Sequence, residues 1–192
     1  MQKTDEELMG ECMEGDEKAI HQLFIRYKLR IFNFCLRMLS NRADAEEAAA
    51  DVFLSLLKNR QSYDPSRKFS TWIFTIARNH SITLIRKRKN VFNVWFTTKG
   101  GDDNDGWDVS DTKDLSRDAL VKEEIQVHVK KAIANLPEEQ REAIILRQYH
   151  DFSYEEISKI LDCSLDKVKI LIFRAKEQMR VELVPFMKED SQ

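Results

Sequence analysis

Between Lys18 and Leu39 the apolar side chains Ile20, Leu23, Phe24, Tyr27, Ile31, Phe34, Cys35, Met38 and Leu39 recur at intervals of three and four. Only a helical backbone gathers such a series on one face, so the segment is predicted to be an amphipathic helix about 30 Å long that must bury that face against neighbours. The spacing returns through Ala45, Ala48, Ala49, Val52, Phe53, Leu56 and Leu57, where the alanines allow close helix approach. It returns again through Trp72, Ile73, Ile76, Ala77, His80 and Leu84. Ser40-Asn41 interrupts the pattern, and so does Asp64-Pro65-Ser66, a turn signature. With 5 Gly and 3 Pro in 192 residues, the chain is poor in the turn formers that a sheet-rich fold uses. The expected first domain is therefore a helical module over residues 5–92, with room for a short extra helix at its start.

Residues 93–118 lose the periodicity, hold three of the five glycines and are rich in aspartate, and read as a flexible acidic linker. Trp95, Phe96 and Trp107 stand out within it, since large aromatic groups tend to dock on the chain itself or on a partner. Periodicity resumes at Leu120, Val121, Ile125, Val129, Ala132 and Ile133, opening a second domain over residues 119–185. Leu136-Pro137-Glu138-Glu139 restarts a helix, because Pro suits the first helical position and acids suit the first turn; this helix is expected to end near His150. Ser153-Tyr154-Glu155-Glu156 is a capping-box pattern. Asp162-Cys163-Ser164 then interrupts, and Ser164 is placed to cap a helix through Val168, Leu171, Ile172, Ala175 and Met179. A short helix, a brief turn and a longer basic helix match the helix-turn-helix pattern, which plain helical hairpins also share. The fold class is thus all-α, two small helical domains joined by a linker.

No 18-residue apolar run is present and the N-terminus is acidic, so neither membrane insertion nor a secretory signal is expected, and the expected compartment is the cytoplasm. Cys12, Cys35 and Cys163 are too scattered for a disulfide framework, and with the four histidines they show no metal-ligand spacing. There is no Gly-rich phosphate loop and no nucleophile motif, so neither an enzyme nor a bound cofactor or metal is expected. His21 and His80 sit on or beside amphipathic helix faces, where a packing role is the simpler reading.

The net charge of −2 hides opposite local fields. Residues 60–90 carry Arg60, Arg67, Lys68, Arg78, Arg86, Lys87, Arg88 and Lys89 against Asp64 alone, whereas residues 100–118 carry seven aspartates. In the basic stretch Tyr63, Phe69, Trp72 and Phe74 surround Arg67, Lys68 and Arg78, with Asn79 nearby. Aromatic faces stack on unpaired bases while cations hold the backbone, so the mixture suits single-stranded or melted DNA. For Trp72 the spacing with Ile73 and Ile76 also fits a core position. On the last helix Leu165, Asp166, Lys167, Lys169 and Ile170 are the candidate base readers, with Lys169 and Arg174 suited to phosphates.

In this order, the segments resemble the two domains of a bacterial sigma factor of the extracytoplasmic-function group within the sigma-70 family. Asp44-Ala45-Glu46-Glu47 followed by Asp51, Phe53 and Leu54 is similar to the helix such factors press against the polymerase clamp. Tyr63-Asp64-Pro65 with Phe69-Ser70-Thr71-Trp72 and Arg78-Asn79 resembles the family's minus-ten segment, which Arg86, Lys87, Arg88 and Lys89 extend. Leu136-Pro137-Glu138-Glu139, Ser153-Tyr154-Glu155-Glu156 and the Ser164 to Arg174 stretch resemble the domain that reads the minus-thirty-five element.

The resemblance implies a non-enzymatic initiation factor whose partners are core RNA polymerase (clamp and flap regions), promoter DNA and an anti-sigma factor, often membrane-bound. The chain departs from the family pattern at Ala50-Asp51, where Gln-Glu is usual, and at Ile170-Leu171, where Ser-Arg is usual. Leu171 faces either DNA or the domain core. A stand-alone regulator built on residues 119–180 is the rival reading; it leaves the 62–90 stretch without a task.

Overall fold

The computed structural model describes residues 3–96 and 117–189, with side chains over residues 3–89 and 125–184; the segment read as a linker lies outside them from residue 97 to 116. The described residues are all-α and fall into two compact units, one within Met1–Trp107 and one within Asp108–Gln192.

The first unit holds α1 (Asp5–Glu14), α2 (Glu17–Leu39), α3 (Arg42–Asn59), a single 3-10 turn (Arg60–Ser62) and α4 (Phe69–Phe96). The ends of α1 and α2 and the start of α3 have local causes. Thr4 and Glu7 form a capping box at the start of α1, and Gly15 ends it at φ 94°, a left-handed backbone that glycine adopts without strain. Asp16 then caps α2 through the Lys18 amide at 2.7 Å. Ser40 adopts φ 53° and Asn41 caps α3 through the Asp44 amide at 3.0 Å, which fixes the sharp α2–α3 reversal in two residues.

The three long helices bury the faces that the spacing predicts. Tyr27, Ile31, Phe34 and Met38 of α2 meet Ala45, Ala48 and Val52 of α3 and Phe69, Ile73, Phe74 and Ala77 of α4, all nearly inaccessible to solvent. Phe34 and Phe74 pack edge to face at 5.5 Å. The pairing of Asp44 with Arg88 and of Ser55 with His80 shows that α3 and α4 run antiparallel.

The second unit holds α5 (Arg117–Asn135), α6 (Glu138–Tyr149), α7 (Tyr154–Leu161) and α8 (Leu165–Glu189). Pro137 stands at the cap of α6 rather than in its first turn. Ser153 and Glu156 form the expected capping box, Asp162 ends α7 at φ 51°, and Ser164 accepts from the Lys167 amide at 3.2 Å to start α8. Ile144, Ile145, Leu146, Ile157, Ile160, Val168, Leu171 and Ile172 form its core. Two helices run past the sequence expectation. α4 continues four residues into the stretch read as linker, and α8 continues through Pro185.

Candidate nucleic-acid and protein interfaces

The outer face of α3 is acidic. Glu46 and Glu47 are exposed, Asp51 and Phe53 are half-buried, and Leu54 projects with 62% of its surface open. Phe53 packs edge-on against Phe24 of α2 at 4.8 Å, and the two rings border a groove of 230 Å³ lined by Ile20, His21, Leu56 and Leu57. Asp44 differs from the other acids: its side chain is only 20% exposed, and its Oδ2 lies 2.5 Å from Arg88 Nη2 on α4. Asp51 lies 4.0 Å from His80 Nδ1, and the other ring nitrogen of His80 shares a 2.8 Å hydrogen bond with Ser55. Two of the acids read as protein contacts are thus joined to the helix read as a DNA contact.

Arg67 and Lys68 ride on a turn that the chain builds from its own side chains. Asp64 Oδ1 accepts from the Ser66 amide at 2.9 Å, its other oxygen meets Arg67 Nε at 3.4 Å, and the Tyr63 hydroxyl donates to the Arg67 carbonyl. The Ser66 hydrogen bonds, with a contribution from Arg67, hold the Asp64 carboxyl below its ordinary range. Tyr63 and Phe69 are buried at 3% and 0% exposure, with Tyr63 edge-on to Trp72 at 5.3 Å. Burial, reinforced by Glu6, pushes the Tyr63 phenol up to about 12. Thr71 is buried as well. Tyr63, Phe69 and Thr71 therefore shape this surface from beneath, whereas Arg67 and Lys68 are exposed and Ser70 and Trp72 half-exposed.

Along α4 the buried stripe runs through Phe69, Ile73, Phe74, Ala77, Ser81 and Ile82. Trp72, Asn79 and Arg86 are seven residues apart, two helical turns, and so share the opposite face. Asn79, Thr83, Arg86, Lys87, Arg88 and Lys89 are exposed, and Arg78 is half-buried. Thr83 was missed in the sequence, although its spacing of four from Asn79 and three from Arg86 marks it.

In the second unit, Ser153 and Ser164 are occupied as caps, and Tyr154 lies under the Arg147 guanidinium at 5.3 Å. Lys167 pairs with Glu139 of α6 at 2.7 Å and Lys169 with Asp166 at 2.9 Å, so both charges have a counter-ion within the protein. Arg174 and Asp166 are exposed, Leu165 is half-buried and Ile170 is 50% open. Leu171 is 7% exposed and faces the core. Phe173, 66% exposed and seven residues from Asp166, joins this face; the same spacing would have found it. Cys163 is half-buried in the turn between α7 and α8.

Residues 23–91 match the family model for Sigma-70 region 2, and residues 127–179 match that for Sigma-70, region 4. The chain is 34% identical over 172 residues to the ECF RNA polymerase sigma factor SigW of Bacillus subtilis, covering 88% of this chain and 91% of that protein. It is 28% identical over 195 residues to the ECF RNA polymerase sigma-E factor of Escherichia coli K12, covering 97% and 98%. Among solved structures, CnrH in complex with the cytosolic domain of CnrY superposes with a TM-score of 0.71 at 20% identity, covering 95% of this chain and 99% of that one. The sigma factor RpoE of Bartonella quintana, in complex with the anti-sigma factor NepR, gives 0.70 at 24% identity, covering 86% and 97%.

Proposed function

Because the chain belongs to the extracytoplasmic-function group of the sigma-70 family of RNA polymerase sigma factors, we propose that it binds core polymerase through the outer face of α3 and engages the minus-ten element through the 63–68 turn and the exposed stripe of α4. The second unit reads the minus-thirty-five element through α7 and α8 acting as a helix-turn-helix. The observation that carries this reading is the stripe itself. Trp72, Asn79 and Arg86 share one face of a helix whose opposite face is core, with Arg67 and Lys68 at its start and a run of cations at its end. An aromatic ring, an amide and cations in that order suit a strand whose bases have been unstacked, since the ring stacks, the amide reads an edge and the cations hold phosphates.

On α8, Ile170 and Phe173 offer apolar contact to thymine methyl groups, while Arg174 serves the phosphates. Lys167 and Lys169 must exchange Glu139 and Asp166 for DNA, which lowers their net contribution. The factor performs no chemistry of its own; it positions promoter DNA and favours its opening, and the polymerase synthesises RNA. An anti-sigma factor is proposed as its regulator on the strength of family membership. No described helix is long and apolar enough to cross a membrane.

Sedimentation with core polymerase in the absence of DNA tests the reading. The expected result is a stable one-to-one complex. A protein that binds promoter DNA tightly by itself and ignores core polymerase is a stand-alone regulator instead.

A further inference from the structure

The segment that carries Arg67 and Lys68 is fastened at both ends by α1, a helix ahead of the residues that match Sigma-70 region 2. Before the turn, Gln61 Nε2 donates to the Met13 carbonyl at 2.6 Å. After it, Glu6 Oε1 accepts from the Phe69 amide at 3.0 Å, across 63 positions of sequence. Phe69 opens α4, and the first amides of a helix have no partner within it. The preceding residue, Lys68, has no side-chain oxygen with which to cap, so α1 supplies the acceptor. A carboxylate at that point also meets the positive end of the helix dipole. α1 is itself held in place: Asp5 Oδ1 takes Arg26 Nη1 at 2.6 Å, the Tyr27 hydroxyl donates to the other Asp5 oxygen, and the Tyr27 ring packs edge-on against Phe69 at 5.0 Å.

We propose that Glu6 is a positioning residue for minus-ten recognition: by holding the Phe69 amide it fixes the 63–68 turn against α4, and so sets Arg67, Lys68 and Trp72 relative to Asn79. The role rests on the minus-ten reading above. Glu6 acts through the backbone of residue 69 and not through DNA.

Full-length Glu6→Ala and Glu6→Gln separate the possibilities, because glutamine keeps an acceptor oxygen and alanine does not. In the free protein, hydrogen exchange at the Phe69 amide should quicken about tenfold or more in Glu6→Ala and stay slow in wild type and Glu6→Gln. In the polymerase complex, the ratio of affinities for a promoter and for the same duplex with a scrambled minus-ten element should fall about fivefold or more in Glu6→Ala. It should stay within about twofold of wild type in Glu6→Gln, and affinity for core polymerase should not change in either. Measured well below the melting midpoint of every variant, this ratio would not move if Glu6 served stability alone. An unprotected Phe69 amide in wild type, an unchanged ratio in Glu6→Ala, or equal losses in both variants overturns the role. A wild-type complex with no preference over the scrambled duplex overturns the minus-ten reading itself, and the exchange measurement distinguishes that failure from a missing contact.

Discussion

Leu171 is 7% exposed between Val168 and Ile172, so an arginine there, usual in the family, would put a charge into the core of the second unit. Leu171→Arg is expected to destabilise that unit by about 3–5 kcal/mol, the range for an uncompensated buried charge, and to lower its melting midpoint without adding DNA affinity. Asp44 and Arg88 make a second residue-level case. Arg88 is exposed yet spends its charge on Asp44, so Asp44→Asn should release it. The expected outcome is tighter binding to non-specific duplex and a salt-dependence slope steeper by about 0.9, absent when Arg88→Gln is already present. The proposed clamp contact is better tested at Glu47 and Asp51, where reversal to lysine should abolish core binding in a pull-down while helicity is kept.

The tyrosines supply a pH signature. Burial raises both Tyr27 and Tyr63, the latter to about 12. Phenols raised above their unfolded value contribute stability that is complete below pH 10 and is lost as pH climbs toward 12, because the unfolded chain ionises first. Absorbance at 295 nm should show these two phenols ionising only as the first unit melts.

At the scale of the element, the proposed minus-ten reading divides the labour of α4 along its length. Asn79→Ala should change base preference within the minus-ten element. Arg86→Gln or Lys87→Gln should weaken every promoter alike and reduce the salt dependence, since phosphate contacts carry no sequence. Selection from promoters randomised across that element reads both effects, and lysine or arginine variants that redirect sequence choice would contradict the division.

The starts of α7 and α8 were legible, at Ser153-Glu156 and Ser164, because the side chain that caps each helix lies within a few residues of its partner. The start of α4 was not. Its acceptor, Glu6, is 63 positions away and looks like one more acid in an acidic N-terminus. The aromatic cluster was legible as a group but not in its parts. Tyr63, Phe69 and Trp72 share one composition signal, and only packing decides that the first two are buried and the third is half-open. Ion pairs such as Asp44 with Arg88 and Lys167 with Glu139 join different helices, so no spacing rule reveals them.

At the scale of the whole molecule, a net charge of −2 conceals two specialised surfaces on the first unit, an acidic one on α3 and a basic one on α4, and a third surface on the second unit. On the proposed reading, two modest DNA-binding modules in one chain would act together through effective concentration, so weak binding by either one would be compatible with firm promoter selection by the complex. Run-off transcription with purified core polymerase joins all these surfaces in one readout, on a template carrying a promoter selected by the complex. The expected result is a transcript of defined length that requires this protein and is lost with Asp51→Lys, which removes core binding, or with Asn79→Ala on the selected minus-ten sequence. A protein that binds the same promoter tightly yet never yields a discrete start with core polymerase would contradict the sigma-factor function.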